Sequence, residues 1–141
     1  MLLNIKAETE RIMKAAMRGF RLFRYRPEAF EAAQMPFIHV YFHEDHLIER
    51  KGFSDDRRVS YEIEACFEPR EDAESELMHL LDQIETAMRL DDVLEKLITK
   101  IDLNHSDFGH RKIGEQRIAA LLMSWRIEYL KAYPERNSAH G

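Results

Sequence analysis

Three histidines lie close together in the sequence beside two acidic residues, and this group has the greatest potential for chemistry. His39, His43 and His46 flank Glu44 and Asp45. Imidazole and carboxylate groups are common ligands of Zn²⁺ and other transition metals. On an extended strand, however, His39 and His43 stand ~13 Å apart at about 3.3 Å per residue, whereas zinc needs its ligand nitrogens within about 2 Å of one centre. At most two of these histidines can share a metal, so we expect no metal site and no cofactor.

Cys66 is the single cysteine of the chain, so no internal disulfide bond can form. The residues beside it are apolar, whereas a nucleophilic thiolate needs a nearby base or positive charge. We expect an ordinary cysteine on the wetter face of a strand. The sequence contains no G-x-S-x-G, G-x-x-x-x-G-K or G-x-G-x-x-G motif. No residue is therefore assigned to catalysis, and we expect a protein that is not an enzyme.

A basic segment near the N-terminus alternates with aromatic residues. Residues 18–26 contain four arginines and three aromatic side chains. This alternation can stack on bases and neutralise phosphates, although it is more often typical of a strand with one core face and one solvent face. Arg21 and Arg24 are the candidates for contact with nucleic acid.

The composition is that of a folded domain. The chain has 141 residues, 45% of them hydrophobic and 33% charged, with a formal net charge of -5. This length is enough for one domain with its own core, and the acidic balance gives no general attraction to nucleic acid. Residues 1–17 mix charges throughout and no apolar run approaches the about 18 residues of a membrane helix. We expect a soluble intracellular protein without a membrane partner, folded over residues 1–134 and ending in a flexible tail at 135–141.

The N-terminal half predicts a helix followed by strands. Residues 2–17 place apolar side chains near helical spacing, and residues 20–25 suit a short strand or an extended connection. Residues 37–43 are rich in aromatic and β-branched side chains, which predicts a strand. Residues 57–67 alternate between apolar and polar side chains, which predicts an antiparallel strand with one buried face. The charged residues 43–58 between them predict a long loop at the tip of a hairpin.

The C-terminal half contains the most regular helical pattern. Residues 72–88 begin with an aspartate N-cap and repeat apolar side chains at i, i+3, i+4, i+7 and i+11. Residues 91–97 predict a second short helix, residues 101–104 a strand, and residues 105–114 a polar loop. Residues 116–133 fit a helix and a strand equally well by periodicity, whereas their alanines and leucines favour a helix by propensity.

Taken in order, these elements resemble the tail terminator family (minor tail protein U-like) of long-tailed bacteriophages and prophages. The segment Met35-Pro36-Phe37-Ile38-His39-Val40-Tyr41 is similar to the hydrophobic–Pro–x–I–x–V–Y first core strand of that family. The alternating strand, the two helices and Ile101-Asp102-Leu103 follow in the family's order. The resemblance ends in Trp125-Arg126-Ile127-Glu128-Tyr129, similar to the end of the family's long last strand, and covers about residues 1–133.

The resemblance implies an α+β fold, in which two to three helices pack against a mainly antiparallel β-sheet in a single domain, with residues 116–130 as a strand. It implies a structural protein that forms a ring, commonly a hexamer, on the head-proximal end of a tail tube. Such a ring stops polymerisation of the major tail tube protein and offers a surface to the head-completion or connector protein. The protein is then expected in the host cytoplasm during assembly and afterwards in the virion tail or a prophage-derived tail-like particle, with DNA only passing through the lumen.

The two long predicted loops are the natural reaching elements of such a ring. Both are charged and longer than most connections in compact domains. We expect the oligomer or lumen interface to include six of their residues: Arg50, Lys51, Arg57, Arg58, His105 and His110.

Three other functions stay open at this point. Another phage neck or tail-completion protein would share the fold and act at a different joint. A small nucleic-acid-binding regulator that uses residues 18–26 predicts salt-dependent DNA binding. A small metal-dependent enzyme built on the histidines predicts stoichiometric metal after purification.

Overall fold

The computed structural model describes residues 1–23 and 35–133. In chain order the elements are α1 (Leu2–Ala16), β1 (Arg21–Phe23), β2 (Phe37–Lys51), β3 (Ser54–Phe67), α2 (Ala73–Leu90), α3 (Asp92–Leu97), β4 (Lys100–Ile113) and β5 (Gln116–Ala132). The expected α+β fold, a mainly antiparallel sheet with up to three helices, is confirmed. The predicted tail at residues 135–141 lies outside the described residues.

The five strands form one sheet in the order β1-β2-β3-β5-β4. β1 runs parallel to β2, and the other neighbours are antiparallel. β2 and β3 form one hairpin, and β4 and β5 form another. Ser54 of β3 pairs with Ala132 of β5, and Phe67 pairs with Ala119. Because the first hairpin turns before Ser54 and the second turns before Gln116, the two hairpin tips lie at opposite ends of the sheet.

Each hairpin closes through a two-residue turn that begins with a glycine. Gly52 has a φ of 65° and Gly114 a φ of 61°. A positive φ at the first turn position is the geometry of a type II′ turn, which suits the twist of the flanking strands. L-residues rarely adopt this conformation, so the two glycines define where the hairpins turn.

The predicted loops at residues 43–58 and 105–114 are wrong, because both segments are strands. β2 continues to Lys51 and β3 begins at Ser54, while β4 continues to Ile113. Where a strand leaves the core, water reaches both of its faces. Polar residues then replace the alternating pattern although the ladder of hydrogen bonds continues.

The last segment is strand β5, as the resemblance implied and against its helix propensity. β5 pairs with β3 on one side and with β4 on the other. Its side chains Leu121, Met123, Trp125 and Ile127 are completely buried. Burial on a pleated surface between two partners outweighs a weak intrinsic preference for the helix.

The helices cover one face of the sheet and complete the core. Asp72 accepts a hydrogen bond from the Glu74 amide at 3.1 Å and begins α2, as its pattern predicted. Leu77, Ile84 and Met88 of α2 are buried in the cluster that includes the buried side chains of β3 and β5. In the described parts of the chain, no helix combines the length and apolar character needed to cross a lipid bilayer.

Cys66 is completely buried, so the expectation of a wetter position is wrong. It pairs in register with Phe37, which is also completely buried. The ring of Phe23 packs against Phe37 at 5.4 Å between centroids. The short strand β1 therefore adds the apolar side chain of Phe23 beside Phe37, the register partner of Cys66. The alternation of apolar and polar residues within β3 alone could not indicate this burial.

Candidate functional site

The β2–β3 hairpin and the end of β5 extend past the core as a three-stranded element, here called the arm (residues 44–57 and 128–133). The core takes its last β2 side chain from Phe42 and its first β3 side chain from Val59, and Tyr129 of β5 is the arm side chain that belongs to the buried core cluster. From Val59 to Ser54 the strand spans roughly 16 Å at about 3.3 Å per residue. The Tyr133 amide donates to the Phe53 carbonyl at 2.8 Å, so the third strand accompanies the hairpin to its tip.

A buried carboxylate lies inside the arm. Asp55 is only 1% exposed. The Tyr133 hydroxyl donates to its Oδ2 at 2.7 Å, and Arg50 Nε lies 3.4 Å from its Oδ1. Arg57 Nη2 adds a second positive group at 3.6 Å. The hydrogen bond from Tyr133 holds the pKa of Asp55 below its ordinary value, with Arg50 and Arg57 acting in the same direction and burial opposing them.

A second carboxylate, that of Asp45, joins the β2–β3 hairpin to β5. Arg57 Nη1 donates to Asp45 Oδ2 at 2.8 Å, and the Tyr129 hydroxyl lies 3.0 and 3.1 Å from the two Asp45 oxygens. The hydrogen bond to Asp45 raises the pKa of Arg57 further above its ordinary value. Burial, followed by the bond to Asp45, raises the pKa of Tyr129 to about 12. The arm is thus cross-linked by ion pairs and hydrogen bonds across three strands.

The arm also exposes large apolar side chains. Their exposed fractions lie between 41% and 59%: Leu47, Ile48, Phe53, Leu130 and Tyr133. Single exposed apolar residues are normal, but a concentration of them on one protruding element is typical of an interaction surface. The combination of a fixed backbone and exposed apolar side chains makes the arm the strongest candidate site.

The structure brings three of the predicted interface residues together on the arm and places a fourth, Arg58, directly after it on β3. Arg50 and Lys51 lie at the tip, with side chains 73% and 52% exposed. Arg57 lies within the carboxylate network on one face. Arg58 lies on the opposite face, 3.5 Å from Glu128. These residues share the β2–β3 hairpin, and Arg50 and Lys51 lie at its end, beside Asp55 and Glu49 respectively.

The other two predicted residues, His105 and His110, lie on β4 and not in a loop. The His105 ring lies 3.0 Å from Asp107. His110 pairs with Ala119 near the second hairpin tip, at the end of the sheet opposite the arm tip. The structure therefore separates the predicted interface into two distant parts.

His110 lines a depression of about 440 Å³ between the start of α2 and β4, here called the α2 pocket. Four apolar residues line it: Ala73, Leu77, Met78 and Phe108. Three acidic residues also line it: Glu71, Asp72 and Glu74. A hydrogen bond from the Ser75 hydroxyl holds the pKa of Asp72 below its ordinary value, so this side chain stays ionised at neutral pH. Met78 and Phe108 remain 51% and 46% exposed.

Both outer strands of the sheet present long edges. β1 pairs only with the first three residues of β2, from Phe37 to His39. The rest of β2 has β3 as its one strand neighbour, and β4 has β5, within the described residues. Such edges offer backbone donors and acceptors to another chain.

The three histidines of the sequence pattern do not converge. His39 is 4% exposed, His43 Nε2 lies 2.7 Å from Glu62, and His46 Nε2 lies 2.8 Å from Glu44. In residues 1–23 and 35–133, no group of three or more His, Cys, Asp or Glu side chains could hold a metal ion.

The candidate nucleic-acid residues are described only in part. Arg21 is exposed at the start of β1, and its amide donates to the Pro36 carbonyl at 3.0 Å. Arg24 lies outside the described residues.

The contacts that build the arm were not predicted from the sequence, and they involve four residues: Asp45, Asp55, Tyr129 and Tyr133. Their partners are up to 84 positions away in the chain, so no local pattern connects them. Phe53 could have been found, because an apolar residue directly after a turn glycine marks a hairpin tip.

No family model matches this chain, and no curated protein matches it in sequence. Among solved structures, it is similar to a chain described as "Virion of native gene transfer agent (GTA) particle". The likeness covers 86% of this chain and 90% of the other, with 10% sequence identity and a TM-score of 0.31. At this TM-score the likeness carries no argument about this chain.

Proposed function

We propose that this chain is a non-enzymatic structural protein that forms a ring on the head-proximal end of a phage or prophage tail tube. The ring, a hexamer in the family that the sequence resembles, stops tube polymerisation and provides the surface for the head-completion or connector protein. Its partners are other copies of itself and the major tail tube protein, with DNA passing through the lumen. The protein acts in the host cytoplasm during assembly and remains in the tail.

The observation that carries this proposal is the arm. A three-stranded element that protrudes from the core, is fixed by internal ion pairs and exposes apolar side chains has the properties of a preformed docking element. Preorganisation lowers the entropic cost of binding, because the backbone is ordered before the partner arrives. A catalytic role would instead need titratable groups that converge in a cleft, whereas the Asp45 and Asp55 carboxylates are satisfied by neighbours within the arm.

Ring formation also needs two different surfaces on each subunit that fit one another. A heterologous contact of this kind closes into a ring when its rotation permits. The arm tip and the α2 pocket lie at opposite ends of the sheet, and the outer edges of β2 and β4 lie on opposite sides of it. The subunit thus has surfaces that differ from one another, as a heterologous contact between copies needs.

Negative-stain images of purified tail tubes, taken with and without the protein, test this function. We expect discrete caps at one tube end and no further growth of capped tubes. Phe53→Asp, at the tip, should abolish the caps. Leu3→Asp, which changes an 82% exposed residue on α1, is the matched control and should leave them intact. Tubes that elongate unchanged and carry no added density contradict the proposal.

A further inference from the structure

We propose that two copies of this chain pair antiparallel through the outer edge of the arm, which is formed by residues 44–51 of β2, with Leu47 at the centre of the contact. The two arms then form one continuous sheet. The inference goes beyond the proposed function and does not rest on it. A two-fold contact is complete after two copies, whereas a ring needs a heterologous contact.

The outer edge of the arm offers both backbone and apolar groups to a partner strand. Within the described part of the chain, β3 is the only strand that pairs with residues 44–51. A strand edge of this kind accepts a further strand through main-chain hydrogen bonds. Leu47 and Ile48, in the middle of the edge, are 48% and 41% exposed.

A bulge in β2 determines which side chains share a face. The register on β3 shifts between Leu47 and Glu49, so Ile48 is the extra residue. Four polar residues of the edge pair with every second residue of β3, from Ser60 to Ser54, and therefore lie on one face. More than half of each side chain is exposed: Glu44, His46, Glu49 and Lys51. Carboxylates thus alternate with nitrogen donors along this face.

An antiparallel pair centred on Leu47 places each carboxylate opposite a nitrogen donor. With Ile48 as the extra residue on each strand, the opposed residues are Glu44 with Lys51, His46 with Glu49, and Leu47 with its own copy. The two-fold axis repeats each of the polar pairs. The edge is therefore complementary to a second copy of itself.

The ion pairs within the edge do not cancel this complementarity. His46 lies 2.8 Å from Glu44, and Lys51 lies 3.8 Å from Glu49. These partners are two positions apart on one strand, ~6.6 Å at about 3.3 Å per residue. Opposed residues of an antiparallel pair have their Cβ atoms about 4.5–5.5 Å apart. The contacts between copies are therefore added to the pairs along the strand.

The other face of the edge agrees with the same centre. Asp45 of one copy lies opposite Arg50 of the second copy. Within the arm, Asp45 accepts from Arg57, and Arg50 lies beside Asp55. A carboxylate has about four lone-pair sites and a guanidinium about five N–H groups, so each can make a further contact without losing the first.

The order of the charges selects one arrangement. A shift of the pair by two residues places Glu44 opposite Glu49 in one direction and Glu49 opposite its own copy in the other. A parallel pair places every charge opposite its own copy. Like charges that face each other directly across a sheet are destabilising. The edge therefore favours a second copy in a single antiparallel register.

Charge reversal tests this contact by sedimentation velocity. We expect the native protein to form dimers in a concentration-dependent equilibrium that salt weakens. Lys51→Glu places a carboxylate opposite Glu44 in both symmetric pairs and should raise the dissociation constant at least about tenfold. Adding Glu44→Lys to the same chain restores opposite charges, so the dissociation constant should return to within about threefold of the native value.

Two controls accompany these variants. Lys112→Glu reverses a lysine near the end of β4, the other edge strand, and should leave the dimer unchanged. A native protein that stays monomeric over the whole concentration range overturns the proposal, as does a double variant that dimerises no better than Lys51→Glu.

A cysteine at the centre of the contact tests its geometry. Leu47→Cys places two thiols opposite each other on the two-fold axis, so mild oxidation should give a disulfide-linked dimer. Phe53→Cys is the matched control, because Phe53 is also exposed on the arm, at 59%. The two tips point to opposite ends of the paired sheet, so this variant should not cross-link. The native Cys66 is completely buried and does not contribute. Equal cross-linking of the two variants, or none with Leu47→Cys, contradicts the register.

The two proposals fail in different ways. Caps on tail tubes from a protein that shows neither the dimer nor the cross-link at position 47 would preserve the function and overturn the edge contact. A cross-linked dimer without caps would preserve the edge contact and overturn the function.

Discussion

Asp55 keeps its charge inside the arm because three donors converge on it. Tyr133, Arg50 and Arg57 lie 2.7, 3.4 and 3.6 Å from its oxygens. A buried charge is costly unless it is paired and hydrogen-bonded, so these contacts are needed for the arm to keep its shape. The carboxylate also joins the tip of the hairpin to the end of β5 through side chains, in addition to the backbone pairing of the two strands.

The pH dependence of stability should reveal this carboxylate. Because the pKa of Asp55 is lower in the folded chain than its ordinary value of 3.8, its ionised form stabilises the fold above pH 3.8. That contribution is lost as the pH falls through the folded-state pKa. Asp55→Asn should therefore lower the urea midpoint at pH 7, and the difference from the native protein should shrink as the pH falls below 3.8.

Urea denaturation at a series of pH values measures this difference. Asp56→Asn removes the same charge one position along β3 and is the control, which should change the midpoint little. A difference between Asp55→Asn and the native protein that is constant across the acid range would show that the carboxylate does not act through its ionisation.

At the scale of elements, the sequence predicts the helices and strand segments that pack against the core. It does not predict the strand segments that extend past the core. The strand at residues 57–67 and both helices after it follow from apolar periodicity, because one face of each is buried. The distal halves of β2 and β4 are fixed instead by pairing with β3 and β5, which local sequence does not record. The assignment of β5 as a strand needed the resemblance, because its periodicity fits both structures.

The turn glycines provide an element-scale test. Gly52→Ala forces an L-residue to a φ of 65° and should cost about 1 kcal/mol or more. Gly109→Ala is the matched control, because Gly109 has an ordinary strand conformation and an added Cβ would lie 3.7 Å from the Ala120 carbonyl, an ordinary contact. Chemical denaturation should show the first variant destabilised and the second neutral or slightly stabilised. If the two variants lose the same amount of stability, the positive φ of the turn is not the reason that Gly52 is needed.

Asp91 couples two helices and gives a second element-scale prediction. Its Oδ1 accepts from the Val93 and Leu94 amides at 3.1 and 2.9 Å, and Arg11 of α1 lies 2.7 Å from its Oδ2. Asp91→Ala should destabilise the protein by about 1–2 kcal/mol, mainly through the lost N-cap. Asp91→Asn keeps the cap and loses the ion pair, so thermal unfolding should show a loss of less than about 1 kcal/mol. If Asp91→Asn destabilises the protein as much as Asp91→Ala does, the ion pair with Arg11 contributes more to stability than the N-cap hydrogen bonds do.

At the scale of the whole molecule, the chain divides into a core and an arm that are stabilised differently. The core is held by apolar burial between the helices and the middle of the sheet, with Trp125 and Ile63 completely buried. The arm is held by backbone pairing and by the network of Asp45, Asp55 and their partners. Regions with different sources of stability open separately, and those with less apolar burial open first. We therefore expect that the arm can be loosened without unfolding the core.

Combining Tyr129→Phe and Tyr133→Phe should produce this separation. The two substitutions remove one hydrogen bond from each arm carboxylate and keep the aromatic rings. We expect amide hydrogen exchange in residues 44–57 to become at least tenfold faster, while exchange in residues 61–65 of β3 stays within about twofold of the native rate. If the arm is the preformed docking element, the same variant should cap tail tubes poorly although its core is intact. Faster exchange throughout the sheet would show that arm and core are a single cooperative unit, and normal capping by a loosened arm would show that its preorganisation is not needed for assembly.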